Sequence, residues 1–225
     1  MLIAIAGADG AGKTTLSRTL HQALLNAGMD AVRLDRFDIL NSRLSPPSAF
    51  ITTDVKTLRE STLLMPASAR LLFMLWSMAL TVSQQLDGAN PEKIVIYDSY
   101  WMKHTAAEII FGVDETAAMA IVALLPPPDL TIYVKLKPEE LLARKVGDMV
   151  PYECGLDYAC RPDSFLRHQI RILGYLDRWS RRFGWQEVDG SPPTDVLAAS
   201  LVRRIQENRK DAAMAHARRS AREAT

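Results

Sequence analysis

Near the start of the chain, Gly7, Gly12, Lys13 and Thr14 fit the spacing G-x-x-x-x-G-K-[ST], with a further glycine at Gly10 and Ala11 beside the last one. Glycines let the backbone wrap closely, so that successive N–H groups point inward at phosphate oxygens. A helix that follows adds its positive end. In that arrangement Lys13 reaches the β- and γ-phosphates of a nucleotide, and the Thr14 hydroxyl holds Mg²⁺. The plain alternative is a glycine turn with an incidental lysine. The segment lies between an apolar run, Leu2 to Ala6, and an amphipathic stretch, which is the setting the chemistry needs. Phosphoryl transfer or nucleotide hydrolysis is therefore the expected reaction. No guanine-reading N-K-x-D is found; the nearest stretch is Val134 to Lys137. A small kinase fits better than a GTPase-like switch.

The elements that must position this loop follow from the hydrophobic pattern. Leu2 to Ala6 reads as a buried parallel strand ending at Gly7. From Thr14 to Ala27, Leu16, Leu20, Ala23, Leu24 and Ala27 share one helix face, and Gly28 stops it. Further strands are expected at Ala31 to Leu34, Lys93 to Tyr97, Leu130 to Leu136 and Trp185 to Val188. Helices are expected at Ser68 to Leu86, Thr116 to Leu125, Pro138 to Lys145, Asp163 to Phe183 and Thr194 to Ala217, and Asn41 to Asp54 reads as loop. Alternating strands and helices predict an α/β fold, with a parallel sheet covered on both faces.

Composition narrows the class. The chain has 225 residues, 48% hydrophobic and 24% charged, with a net charge of +1. That suits one folded domain and gives no global field for nucleic acid or membrane. The longest apolar run, Leu71 to Val82, is well short of the roughly 20 residues of a bilayer span. Met1 to Ala6 lacks the basic leader of a signal peptide. Cys154 and Cys160 are too few for a disulfide framework, so free thiols and a cytoplasmic setting are expected. From Arg203 to Thr225 seven basic residues face three acidic ones, a basic helical tail.

Four segments resemble the thymidylate kinase family: the loop from Gly7 to Thr15; Ile96 to Tyr100, similar to that family's aspartate-arginine-tyrosine motif; Pro128 to Arg144; and Phe165 through Tyr175 to Asp189. The resemblance implies a three-layer P-loop kinase fold with a five-stranded parallel sheet and a small lid at about 144–160. Residues 1–205 would form one kinase domain and 206–225 the tail. It implies ATP and Mg²⁺, with Gly7, Gly10, Ala11, Gly12, Lys13, Thr14 and Thr15 on the phosphates, and Thr14 and Asp98 on the metal side. Asp98 also reads as a strand-end turn or helix cap. With no arginine in the P-loop, the chain resembles the variant in which the lid supplies the catalytic cation; Arg144 is the expected one, with Lys145 and Arg161 as alternatives. A homodimer through core helices is compatible with the resemblance.

On the acceptor side the resemblance implies Asp9 at the sugar hydroxyl and Phe73 stacked on a base. It also brings out departures. Ser77 stands where the family reads the base with arginine, and Ser99 where an arginine helps hold the acceptor phosphate. Lys103 and Ala107 replace a serine and an aromatic residue. Each charge-assisted arginine contact is worth roughly 1.5–3 kcal/mol. Arg36 and Lys103 are the residues that restore positive charge. Asp35 reads as a general base, a Mg²⁺-side carboxylate or a turn cap. Trp76 and Trp101 read as pocket aromatics or as core. The expected activity is transfer of the ATP γ-phosphate to a nucleoside monophosphate. The alternatives are a kinase of an unphosphorylated nucleoside or other small alcohol, and a non-catalytic nucleotide-binding module.

Overall fold

The computed structural model describes residues 1–87, 90 and 92–223; at 208 and 210–223 only the helical backbone is described. Five strands, β1 (Leu2–Ala6), β2 (Ala31–Leu34), β3 (Ile94–Asp98), β4 (Leu130–Lys135) and β5 (Gln186–Asp189), form one sheet. Their order is β2-β3-β1-β4-β5. Every pairing is parallel, with Ile5 opposite both Asp98 and Ile132. The central strand, β1, is buried along its whole length, as a strand with helices over both faces must be. Its carboxyl end opens between β3 and β4, which is where an open α/β sheet binds ligands.

Among the described residues eight α-helices surround the sheet: α1 (Lys13–Asn26), α2 (Val55–Leu64), α3 (Ala67–Leu86), α4 (Trp101–Ile110), α5 (Glu115–Val122), α6 (Pro138–Lys145), α7 (Pro162–Phe183) and α8 (Thr194–Glu223). α1 packs on α8, while α3, α4, α5 and α7 form a second group. Leu16, Leu20 and Leu24, the apolar face read in the sequence, are all buried. Between α6 and α7, where the lid is expected, the chain makes a 3₁₀ turn at Pro151–Cys154.

Two helices go beyond the sequence reading. α4 is buried nearly all round, from Trp101 and Met102 through His104 to Glu108, so it shows no amphipathic period to read. α2 is short and buries only Leu58 and Thr62. Its start was nevertheless signposted, because Asp54 caps it by accepting from Thr57 N–H at 2.9 Å. The expected boundary at 205/206 is crossed by the continuous α8, and the side chains of 208 and 210–225 lie outside the described residues.

The helix behind the phosphate loop is held by its buried leucines. Leu20→Ala should destabilise the protein by about 2–5 kcal/mol. Urea unfolding would show a lower midpoint with an unchanged slope.

Candidate active site

One cavity of about 1330 Å³ lies over the carboxyl ends of the strands. One part of it is lined by Asp9, Gly10, Gly12, Lys13, Thr14 and Thr15 from the loop after β1, with Arg144 and Lys145 from α6. The loop geometry depends on glycine. Gly10 has φ +87°, and a Cβ there would sit 2.7 Å from the Leu141 carbonyl oxygen of α6. Gly12, at φ 86°, precedes α1 without a side-chain cap, and the first turn carries no acidic residue. The positive end of α1 therefore opens into the cavity for an anion. Thr14 and Thr15 are exposed there.

Lys13 folds back and donates to the Ala8 carbonyl at 2.6 Å. Burial pushes its ammonium down to about 8, against the opposing pull of Asp9. Burial alone would raise the Asp9 carboxyl, but the ammonium of Lys103 at 2.7 Å, with Lys13 beside it, holds it well below the carboxylate range. Gln169 of α7 clamps the loop from the other side: its Oε1 accepts from Asp9 N–H at 2.9 Å, and its Nε2 donates to the lid carbonyl of Glu153 at 2.9 Å. Lys145 pairs with Glu153 at 2.9 Å. Arg144 donates to the Gly190 carbonyl at 3.0 Å. Arg161 instead pairs with Asp157 on the exterior and does not line the cavity.

Asp98 ends β3 almost fully buried, and Arg33 of β2 grips it at 2.8 Å while reaching Asp35 at 3.2 Å. Asp35 forms a cap: its Oδ1 accepts from Phe37 N–H at 2.8 Å. Both of its oxygens are thus engaged, although the residue lines the cavity. Ser99 follows Asp98 at φ 59°, a left-handed conformation that costs a non-glycine residue energy and aims the strand end into the cavity.

Another part is walled by Arg36 and Phe37 after β2, by Arg59 of α2, by Arg70 and Met74 of α3, by Lys103 and His104 of α4, and by Tyr152 of the 3₁₀ turn. The guanidinium groups of Arg36 and Arg59 lie 4.5 and 4.6 Å from the centre of the Phe37 ring. Burial lowers the Arg36 pKa from its ordinary value. Arg70 is bidentate to Glu108, at 2.6 and 2.9 Å, and Tyr152 donates to the same carboxylate at 2.8 Å.

Two expected contacts fall elsewhere. Phe73 and Ser77 are absent from the cavity wall. Three residues turn a helix by 300°, so Phe73 is rotated about 60° from the face that carries Arg70. It packs toward Trp76, 6.3 Å away. Ser77 shares the Arg70 face but lies about 10.5 Å further along the axis. There it is buried, with its hydroxyl on the Met74 carbonyl. Trp101 packs in the core against Trp179, and Trp76 lies near Phe50 at the surface. The cation that α3 contributes is Arg70. A signal for it existed, because it is the only charged residue between Glu60 and Asp87. Arg33, Arg59, Gln169 and Tyr152 carried no comparable signal. Cys154 is buried and Cys160 half-buried, both as free thiols.

Gly10→Ala combines left-handed strain with a collision against α6. The loop should lose roughly 1–2 kcal/mol or more of stability, read as a lower midpoint in urea unfolding.

No family model matches the chain. A probable thymidylate kinase of Sulfolobus acidocaldarius is 32% identical over 146 residues, covering 64% of this chain and 68% of that protein. One from Archaeoglobus fulgidus is 29% identical over 161 residues, covering 70% and 76%. One from Metallosphaera sedula is 26% identical over 205 residues, covering 91% and 92%. With a glycine loop over β1, a cationic cavity at the strand ends and a relative of this similarity, the chain belongs to the thymidylate kinase family.

Proposed function

We propose that this enzyme transfers the γ-phosphoryl group of ATP to the phosphate of a nucleoside monophosphate of the dTMP kind. One observation carries the choice of acceptor. Arg36, half-buried on the cavity wall, has no ion pair among the described residues. A half-buried guanidinium that faces a cavity without a carboxylate is a ready partner for an anion, above all a phosphate. An acceptor phosphate supplies that anion; an unphosphorylated alcohol does not.

In the proposed reaction an acceptor phosphate oxygen attacks the γ-phosphorus in line. The bond from that phosphorus to the β–γ bridging oxygen breaks, leaving ADP and a nucleoside diphosphate. The acceptor is already anionic, so no general base is required. This agrees with an Asp35 whose oxygens serve a cap and Arg33. Lys13 and the amides at the start of α1 hold the donor phosphates, and Arg144 supplies lid charge to the transferring group. Asp9 and Lys103, paired at 2.7 Å, line the same cavity, where they would meet the two substrates. Thr14 and Asp98 line the same cavity and form an oxygen-only pair, which suits Mg²⁺ that arrives with ATP and keeps several waters. That ion would neutralise developing phosphate charge. Closure of the segment from Val146 to Cys160 would exclude water. Among the described residues no helix is long and apolar enough to cross a membrane.

Lys13→Ala should reduce phosphoryl transfer from ATP to dTMP below detection in a coupled ADP assay, with an unchanged far-UV circular dichroism spectrum. Retained turnover near the wild-type rate would remove the donor-site assignment. A pH experiment tests the same lysine. Its free-state pKa is lowered to about 8, and bound phosphates raise it. ATP affinity should therefore be complete below pH 8 and weaken by up to about tenfold per pH unit above it. Calorimetry at pH 8.5 in two buffers of different ionisation enthalpy should detect proton uptake on binding.

A further inference from the structure

The first turn of α4 presents two consecutive residues to the cavity, Lys103 and His104. Lys103 is accounted for by its bond to Asp9 at 2.7 Å. His104 is not. It is 3% exposed, and its Nδ1 is shut away from solvent without a hydrogen-bond partner. Buried imidazole nitrogens are normally paired; a ring on the cavity wall with no hydrogen bond among the described residues keeps an N–H to offer to a group that the cavity receives.

The surroundings define that group. His104 is faced by Lys103 on its own helix, Arg36 from the turn after β2, and Asp9 and Lys13 from the phosphate loop. The Tyr152 ring of the lid lies 6.5 Å away. Three cations and one acid, with that acid already bound to Lys103, leave a net positive space. Lys13 marks the donor end of this space and Arg36 the acceptor end. An oxyanion placed between them is the phosphate of the acceptor. Burial, with the charges of Lys103 and Arg36 adding, keeps the imidazole neutral. A neutral ring offers an N–H to an oxyanion without requiring a carboxylate of its own.

We propose that His104 is a direct hydrogen-bond donor to the phosphate of the acceptor nucleotide, acting beside Lys103 in a cradle closed by Arg36. This rests on the nucleoside monophosphate reading above and extends it to a residue whose alternative role is packing within α4. Packing alone predicts that substitutions disturb both substrates together. A phosphate contact predicts an effect confined to the acceptor and relieved by another donor.

The experiment compares wild type with His104→Ala, His104→Asn and His104→Gln, using ATP and dTMP, or whichever nucleoside monophosphate the wild type phosphorylates best. Asparagine places an amide N–H near the Nδ1 position and glutamine near Nε2. The expected result is an acceptor KM raised at least tenfold in His104→Ala, an ATP KM within twofold of wild type, and an acceptor KM restored to within threefold by at least one amide variant. In wild-type protein with ¹⁵N-labelled histidine, the His104 ring signals should move on addition of dTMP and stay in place with thymidine. This reading also decides the matter if His104→Ala does not fold. An unchanged acceptor KM in His104→Ala, equal loss in all three variants with ATP KM rising in parallel, or ring signals indifferent to dTMP would each overturn the assignment. Wild-type turnover of monophosphates together with any of these results removes His104 alone. Failure of wild type to phosphorylate any monophosphate removes the acceptor reading and this contact with it.

Discussion

Everything in the site depends on main-chain amides left without partners at the start of α1. A helix end that opens into a cavity is a poor arrangement unless an anion is to occupy it. The chain keeps this end free of a side-chain cap and of acidic residues. It holds the preceding loop in place by burying β1 under helices on both faces and by seating Leu16, Leu20 and Leu24 in the core. Gly10 brings the loop so close to α6 that the helix carrying Arg144 and Lys145 is placed by contact with the loop itself. The glycine loop and α6 are thus one packing unit.

Internal charge compensation organises the rest of the cavity. Asp9 is held by Lys103 and Gln169, Asp98 by Arg33, Lys145 by Glu153, and Lys13 by the Ala8 carbonyl. These contacts keep binding groups ordered at the cost of exchanging partners when ligands arrive. Buried pairs of this kind are weak sources of net stability, because desolvation offsets attraction. Their value here is placement. Arg36, which lacks such a partner among the described residues, stands out for that reason.

A second buried network ties the 3₁₀ turn at Pro151–Cys154 to α3 and α4. Arg70 of α3, Glu108 of α4 and Tyr152 of the lid meet on one carboxylate, with the Arg70 guanidinium 5.2 Å from the centre of the Phe111 ring and 5.6 Å from that of Tyr152. Burial raises the Glu108 carboxyl and the hydrogen bonds from Arg70 and Tyr152 oppose that rise. The lid is therefore anchored at both ends of the cavity, through Glu153 to Lys145 and Gln169, and through Tyr152 to Glu108.

The amino-acid sequence alone determined the glycine loop after β1, the alternation of strands and helices and the family resemblance, because these depend on local spacing and hydrophobic period. It also marked Asp98 at a strand end and Lys103 as a cation, which the structure places on the cavity wall. Only the tertiary structure decided which side chains share the cavity. Helix register on α3 depends on how that helix rotates against its neighbours, so Arg70 and Met74 came to the wall while Phe73 and Ser77 turned aside. α4 escaped local reading because it is buried on nearly every side. Arg33 acquired its role only when parallel pairing set β2 beside β3 and brought two carboxylates within reach of one guanidinium. Contacts between residues far apart in the chain have no local period, and this part of the site emerged only on folding.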